Sequence, residues 1–405
     1  MYEPVKDTFT GSTFGADALF PGAIAWTDRM PRIRNIGDVK PHIREGEGIN
    51  FFEHGDFIIC RYTSSMPETF QTEIDLECRC MVFETASGAL LSRTFHKFFN
   101  LGERQAFYDI DFAAGVYLEP KLDGTMIAAF VHRDQVIYHT RGGLSKHAES
   151  AGRLAGPGHE QLVRDAFARG YTPIFEHTGP TNRIVIIYEE DGLTLLALRH
   201  RLTGNYDRTL RDSLAAIHGV PVARTLGQII ESPSDLDDAL TEISGRTDIE
   251  GVVLVTPDGH RLKVKTRDYL RRHQILANIE KEKYVYLCYL ENVLDDTAAA
   301  LGGERGRALT TFIAEITSRI RDVGEEISTY TREHAHLSPA ERACAIKSDW
   351  SGILQSAAFA ASGGGDPVAR INQIMARQNS ISEKREVLKT DIGLPTWKVD
   401  IQSLR

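Results

Sequence analysis

Short apolar runs separated by turn residues characterise the chain up to about residue 268, and they predict a β-rich region. Between residues 119 and 268, three pairs of apolar runs each flank a short polar turn. Runs arranged in this way are typical of antiparallel hairpins. The predicted strand pairs are residues 126–132 with 136–140, 183–188 with 194–198, and 252–255 with 261–265. Further strands are predicted at residues 57–60 and 80–83, and helices at residues 160–169 and 234–243.

From about residue 269 the apolar residues follow a helical period instead. Ile313, Ile316, Ile320, Val323 and Ile327 are spaced by three or four residues, which places them on one face of a helix. The segment 338–341 predicts another helix start, because it combines a capping box with proline at the first helical position. The predicted fold class is α+β. An antiparallel-sheet domain is expected at residues 1–270, with its core motifs at about 79–268, followed by an all-helical domain at 271–405.

Composition narrows the class of protein. The chain has 405 residues, of which 42% are hydrophobic and 25% charged, as in ordinary globular proteins. The sequence contains no apolar run of roughly 18 residues that could span a membrane, and its N-terminus has no signal-peptide pattern. Five cysteines, widely spread apart from Cys78 and Cys80, predict reduced thiols in a cytoplasmic protein. A net charge of −9 argues against nonspecific coating of nucleic acid, but it leaves room for a local basic groove.

The segment Lys121-Leu122-Asp123-Gly124 is the main candidate for chemistry. It stands directly before the apolar run 126–131, so a lysine, an acid and a glycine lie immediately before a predicted strand. This order suits an enzyme that carries a nucleotide on lysine. The amine must be neutral to attack, whereas a free lysine has a pKa of about 10.4. Nearby cations and a metal are therefore required.

Residues further along the chain meet these requirements. Glu176 and Glu250 offer carboxylates for a magnesium ion, which holds its waters tightly and is often bound through them. Lys263 and Lys265 alternate with apolar residues and therefore share one face of a strand. Further candidate cations are Arg79, Lys97 and Arg141. Each residue alone has a simpler explanation as a solvated strand face or a turn. Their occurrence together, in this order, favours a nucleotide site.

Four of these segments resemble motifs I, III, IV and V of the covalent nucleotidyltransferase superfamily, which comprises DNA ligases, RNA ligases and messenger-RNA capping enzymes. They are residues 121–124, 175–176, 250–251 and 263–265. Residues 96–103 and 180–185 are similar to the phage RNA ligase 1 family, the group of the T-even phage enzyme. The resemblance covers about residues 55–270, and the tail is similar only in type. Thr125 stands where serine is frequent, and residues 193–198 lack an aromatic ring to stack on adenine.

The resemblance implies a role for each residue. Lys121 would become adenylylated, and Lys263 and Lys265 would bind the α-phosphate and orient the leaving pyrophosphate. Glu176 and Glu250 would help to hold the catalytic Mg²⁺, with Mn²⁺ as the alternative metal. The other nucleotide contacts would come from Arg79, Lys97, Phe99, Glu119, Gly124, Arg141 and Gly251. Asp295 and Asp296 in the tail would match an acidic pair that contacts a second, nucleotide-bound metal.

The implied function is that of an ATP-dependent RNA ligase, which works through lysyl-AMP and an adenylylated RNA end. Its substrates would be ATP and single-stranded or nicked RNA ends. We expect a monomer that does not contact membranes, in the cytoplasm of a bacterium or a phage-infected cell. Two other hypotheses stay open: a DNA ligase or capping-type guanylyltransferase, and a non-catalytic protein that binds RNA ends. The helical tail argues against the first, since those enzymes usually carry an OB fold after motif V.

Overall fold

A computed structural model describes residues 30–44, 46–64, 69–101 and 110–398 of the chain. The chain divides into two compact units, residues 1–269 and 270–405. That each unit folds as an independent domain stays a prediction. Within the described residues, no helix is long and apolar enough to cross a membrane.

The strands of the first unit form three antiparallel sheets. In chain order they are β1 (Ile49–His54), β2 (Phe57–Tyr62), β3 (Met81–Glu84), β4 (Leu90–Arg93), β5 (Tyr117–Lys121), β6 (Thr125–His132), β7 (Gln135–Thr140), β8 (Tyr171–Thr178), β9 (Gly192–His200), β10 (Gly251–Val255) and β11 (Arg261–Lys265). The spatial orders are β1-β2-β3-β4, β11-β10-β5 and β7-β6-β8-β9. The antiparallel sheets predicted from the sequence are confirmed.

Helices cover the second and third sheets through apolar faces. The helices of this unit are α1 (Glu73–Glu77), α2 (Lys146–Leu154), α3 (Pro157–Ala168), α4 (Arg208–His218) and α5 (Pro233–Ser244). Leu162 of α3 and Leu214 of α4 share a buried cluster with Ile127 and Phe175 of the third sheet. Leu236 of α5 packs in a cluster with the second sheet. The helices predicted at residues 160–169 and 234–243 are confirmed.

Two of the three predicted hairpins are confirmed, and the third is wrong. β6 pairs with β7, and β10 with β11, as the turn residues indicated. Residues 183–188 do not form a strand, and β9 pairs with β8 instead. The reason is a distant carboxylate: Asp123 accepts hydrogen bonds from the backbone amides of Val185 and Ile186, both at 2.7 Å. Those amides are therefore not available to a strand ladder.

In its described residues the second unit is helical. It holds α7 (Glu282–Leu290), α8 (Leu294–Leu301), α9 (Gly303–Glu333), α10 (Pro339–Asp349), α11 (Gly352–Ser362), α12 (Pro367–Gln378) and α13 (Ser382–Ile392), while α6 (Arg267–Ile279) runs across the boundary of the units. The predicted apolar face lies on α9, and all five of its residues are buried. The capping box before α10 is present, since the Ser338 side chain accepts from the amide of Glu341 and the Glu341 carboxylate accepts from the amide of Ser338.

Candidate active site

The register of the second sheet brings Lys121 and Lys265 to the two sides of one glycine. Gly251, the first residue of the central strand β10, lies opposite Lys121 on one side and Lys265 on the other. Residues more than 125 positions apart in sequence thereby become neighbours. A side chain is not tolerated at Gly251, because a Cβ there would overlap the carbonyl oxygen of Val264. The glycine thus permits the close approach of β11.

Glu250, directly before this glycine, is shared by the two lysines. Its carboxylate lies 2.6 Å from the Lys121 amine and 2.9 Å from the Lys265 amine. The Glu250 side chain is only 4% exposed, while those of the lysines are 23% and 27% exposed. The carboxylate therefore holds both amines at the rim of the buried site, and each amine remains accessible to a ligand.

Glu176 is the second acid of the site and is held differently. It lies on β8, opposite Met126 of β6, and it is buried. Burial raises the pKa of its carboxyl to about 7, which the positive charge of Lys121 opposes and the negative charge of Glu250 increases. Among the described residues, none forms a hydrogen bond or ion pair with this carboxyl. A buried acid without a partner is a suitable ligand for a cation.

Asp123 fixes the shape of the lysine loop. Its buried carboxylate accepts the two amides of residues 185 and 186 and also the Tyr269 hydroxyl at 2.7 Å. The Asp123 amide donates to the Tyr188 hydroxyl at 3.0 Å. Three protein groups donate to this carboxylate, so its role in the structure is to position the loop.

The two residues after Asp123 attach the loop to β8 and the segment that follows it. A Cβ at Gly124 would overlap the carbonyl oxygen of His177, so the glycine permits close approach of protein backbone. The Thr125 hydroxyl donates to the Asn182 side-chain oxygen at 3.0 Å, and the Asn182 amide group donates to the His177 carbonyl at 2.6 Å. Threonine thus provides the hydroxyl that serine would provide.

The predicted cations lie over aromatic rings. Arg79 and Lys263 contact the same ring, Phe98, at 5.4 and 5.2 Å from its centroid. Lys97 lies 5.2 to 5.5 Å from the centroids of three rings, those of Tyr62, Phe70 and Phe99. Cation–π contacts hold a positive charge in place without neutralising it. Phe99 therefore acts here as part of the support for Lys97.

Backbone pairing explains why Lys97 and Lys263 belong to one site. The Lys263 amide donates to the Phe99 carbonyl at 2.9 Å, and the Leu101 amide donates to the Lys263 carbonyl at 2.8 Å. The segment that carries Lys97 therefore extends the edge of the second sheet at β11.

Arg141 lies in the tight turn after β7. Its guanidinium lies 5.0 Å from the centroid of Tyr62, the ring that also contacts Lys97. Arg141 is exposed, and within the described residues it has no hydrogen bond or ion pair. The ring of Tyr62 thus contacts both Arg141, which follows the third sheet, and Lys97.

Glu119 is enclosed by arginines. Its carboxylate lies 2.7 Å from Arg211, 3.4 Å from Arg261 and 3.9 Å from Arg208. The sequence pointed to Glu119 as a nucleotide contact, and the three partners show a structural role for it as well. A nucleotide contact by Glu119 stays a prediction.

Asp295 and Asp296 lie on α8 in the second unit. Asp295 is exposed, and the side chain of Asp296 lies outside the described residues. Their predicted contact with a second metal stays a prediction. Within the described residues, no group of three or more histidine, cysteine or acidic side chains has the arrangement of a preformed metal centre.

The sequence did not reveal several residues that shape the site. Tyr188 and Tyr269 hold the Asp123 loop, and Tyr62 lies beneath two of the cations. None of the three belongs to a motif. Tyr62 and Tyr269 follow predicted strands and Tyr188 ends one, and none carries a local signal because each has a partner that is distant in sequence.

A family of known proteins is similar to the part of the chain that holds this site. Residues 77–273 match the family model described as RNA ligase, and this span contains Lys121, Glu176, Glu250, Lys263 and Lys265. Residues 77–273 are therefore similar to the RNA ligase family. The predicted resemblance to the phage RNA ligase 1 family is confirmed.

Two relatives are each 29% identical to this chain over 275 residues, a match that covers 64% of the chain. One is "Putative RNA ligase" of Thermovibrio ammonificans, of which 70% is covered, and the other is RNA ligase 1 of Bacteriophage TS2126, of which 65% is covered. Among solved structures, an archaeal ATP-dependent RNA ligase (form 1) matches with a TM-score of 0.43 and 18% identity. That match covers 57% of this chain and 62% of the archaeal one. The chain thus spans less than two thirds of the phage and archaeal proteins.

Proposed function

We propose that this chain is an ATP-dependent RNA ligase that joins a 5′-phosphate end of RNA to a 3′-hydroxyl end. The observation that carries the proposal is the buried Glu250 carboxylate, shared by Lys121 at 2.6 Å and Lys265 at 2.9 Å. Both the candidate nucleophile and the proposed phosphate-binding cation thus contact one carboxylate. The match of residues 77–273 to the RNA ligase family model supports the same function.

In the first step, the Lys121 amine attacks the α-phosphorus of ATP. A nitrogen–phosphorus bond forms, the bond to the bridging oxygen breaks, and pyrophosphate leaves as the amine loses a proton. Lys263 and Lys265 would stabilise the charge that develops on the phosphate oxygens, and Arg79 and Lys97 would bind the leaving pyrophosphate. Positioning and electrostatics dominate such phosphoryl transfers.

In the second step, a 5′-phosphate oxygen of RNA displaces Lys121 from AMP, which gives a 5′–5′ pyrophosphate-linked end. In the third step, a 3′-hydroxyl attacks the RNA phosphate and AMP leaves. Lys121 is needed only in the first two steps. An RNA end that is already adenylylated should therefore be sealed without it.

Glu176 and Glu250 would hold a divalent cation, which we propose is Mg²⁺, with Mn²⁺ as the alternative. The fit rests on the buried Glu176 carboxyl, which has no partner among the described residues. A cation there would add positive charge beside the α-phosphate and weaken the hold of Glu250 on Lys121, which favours the neutral amine. Asp295 and Asp296 are proposed for a second metal. The monomeric state and the cytoplasmic location stay predictions.

A ligation assay with 5′-labelled single-stranded RNA, ATP and Mg²⁺ tests the proposal. We expect joined or circular RNA with wild-type protein, and none with Lys121→Ala. The same variant should still seal pre-adenylylated RNA. Preference for DNA ends or for GTP would instead indicate a DNA ligase or a capping-type enzyme. RNA binding without a covalent adduct would indicate a non-catalytic end-binding protein.

A further inference from the structure

The first sheet carries an aromatic and cationic surface that no step above uses. β1 is an edge strand, and Asn50, Phe52 and His54 share one of its faces with Ile59 and Arg61 of β2. Phe52 is 37% exposed, which is high for a phenylalanine, and the Arg61 guanidinium lies 4.3 Å from the centroid of its ring. We call Phe52 and Arg61 the β1–β2 surface.

The charge of Arg61 is not compensated in the described part of the chain. Arg61 forms neither a hydrogen bond nor an ion pair there, and its Nε atom is buried without a partner. The nearest acids on β1 and its turn are directed elsewhere. Glu53 lies on the opposite face of β1, and Asp56 pairs with Arg133 at 2.8 Å. In a protein of net charge −9, a cation left in this way favours an anionic ligand.

The β1–β2 surface adjoins the cations of the candidate active site. Arg61 directly precedes Tyr62, the ring beneath Lys97 and Arg141. Gly143, in the turn that carries Arg141, packs close to Ile59 of the same sheet face. The charges of Arg61, Arg141 and Arg79 all lower the pKa of the buried Cys80 thiol, against the larger effect of burial.

We infer that the β1–β2 surface binds an unpaired RNA strand and leads it to the active site. One base stacks on the exposed face of Phe52, and a backbone phosphate contacts Arg61. An unpaired base offers its π-face to such a ring, whereas a base inside a duplex does not. The inference rests on the proposed ligase function and adds a substrate-binding site to it.

Equilibrium binding of a short, fluorescent, 5′-phosphorylated single-stranded RNA in the absence of ATP tests this site. Phe52→Ala should weaken binding about tenfold, the usual effect of losing one stacked base. Phe52→Trp should retain the wild-type affinity, since it keeps the ring. Arg61→Gln should weaken binding and reduce the slope of log K against log salt by about 0.7, the value for one phosphate of a single strand.

Matched controls separate this site from general effects. Arg44→Ala removes an exposed arginine of the same region, which pairs with Glu47 at 3.3 Å, and it should leave RNA binding unchanged. Formation of lysyl-AMP from labelled ATP should stay within about twofold of wild type in every variant, since none of these residues is among the proposed nucleotide ligands.

Three results would overturn the inference: unchanged RNA binding by Phe52→Ala, an equal loss for blunt duplex RNA, or a loss in Phe52→Trp as large as in Phe52→Ala. Failure of the wild-type protein to form lysyl-AMP would instead contradict the proposed function. The two failures are distinguishable, because RNA binding is measured without ATP.

Discussion

Two groups of arginines in the first unit are held in opposite ways. Arg93 and Arg199 are fully buried and both contact the Glu77 carboxylate, at 2.8 and 2.6 Å. Arg79 and Arg141 instead lie over the rings of Phe98 and Tyr62, and neither has an acidic partner among the described residues. The fold supplies an acid where a buried cation is structural. Where only a ring supports the cation, the charge remains available for a phosphate.

An acid near each group of arginines shows the same contrast. Glu77 has two cationic partners, whereas Glu176 has none among the described residues. Burial opposes ionisation of Glu77, but the charges of Arg199 and Arg93 outweigh it and lower its pKa. Burial of Glu176, with no close partner among the described residues, raises its pKa to about 7. The first carboxylate is satisfied within the protein. The second is suited to a ligand that arrives later.

The largest effect should come from breaking the buried group. Glu77→Gln leaves two buried guanidiniums without their charge partner, and it should lower the free energy of unfolding by about 3–5 kcal/mol. Urea denaturation followed by circular dichroism measures this. Glu47→Gln, which removes an exposed acid paired with Arg44, is the matched control and should cost less than about 1 kcal/mol. A loss of less than about 1 kcal/mol in Glu77→Gln would contradict the proposed difference between the two groups of arginines.

Removing Arg79, a cation that lies over an aromatic ring, should slow catalysis and leave the free energy of unfolding nearly unchanged. Arg79→Ala should slow formation of lysyl-AMP by about 10²–10³-fold, the cost of losing one transition-state donor. Its free energy of unfolding should change by less than about 1 kcal/mol, because no ion pair is broken. Single-turnover labelling with α-labelled ATP gives the rate, and urea denaturation gives the stability. A large loss of stability with normal labelling would assign Arg79 to the structural group.

A buried histidine, His139, predicts that stability depends on pH. His139 contacts Cys80 and Ser92, the neighbours of Arg79 and Arg93 in sequence. Burial lowers its pKa to about 4, whereas an unfolded histidine has a pKa of about 6.5. The unfolded chain therefore takes up the proton first, and stability falls as the pH drops through 6.5 towards 4.

From pH 7 to pH 5 this loss amounts to about 2 kcal/mol for the single histidine. His139→Gln should remove that part of the pH dependence. The difference between wild type and variant in urea denaturation, measured at both pH values, isolates the contribution from other titrating groups. Parallel pH profiles for the two proteins would contradict the prediction.

The smallest effect should come from an arginine that is paired but exposed. Arg133 pairs with Asp56 at 2.8 Å, and its side chain is 71% exposed. Arg133→Ala should change the free energy of unfolding by about 0–1 kcal/mol and leave lysyl-AMP formation unaltered. The same two assays apply. A cost comparable to that of Glu77→Gln would show that pairing alone, and not burial, distinguishes the structural group.

Local patterns predicted most of the fold, and distant contacts account for the part that was wrong. The hairpin of β6 and β7 and the apolar face of α9 follow from residues that are close in sequence. Residues 183–188 have strand-forming side chains, yet the amides of Val185 and Ile186 bond to Asp123, about sixty positions earlier. The spacing of apolar residues along the chain carries no information about such a distant hydrogen bond.

The same division holds for the candidate site. Lys121, Glu250 and Lys265 could be predicted because they stand in ordered motifs, and the register of β10 then joins them. The three arginines around Glu119 and the support of Asp123 by Tyr269 could not, since each depends on a partner from a separate element. Sequence therefore indicated the groups that face the ligand better than those that hold them.

Peptide mapping by mass spectrometry, after incubation with ATP and Mg²⁺, tests the central claim most directly. We predict AMP attached to the peptide that contains Lys121, and an unmodified peptide in a folded Lys121→Ala protein. The absence of any adduct from the wild-type protein, or an equal amount of adduct in Lys121→Ala, would contradict the account.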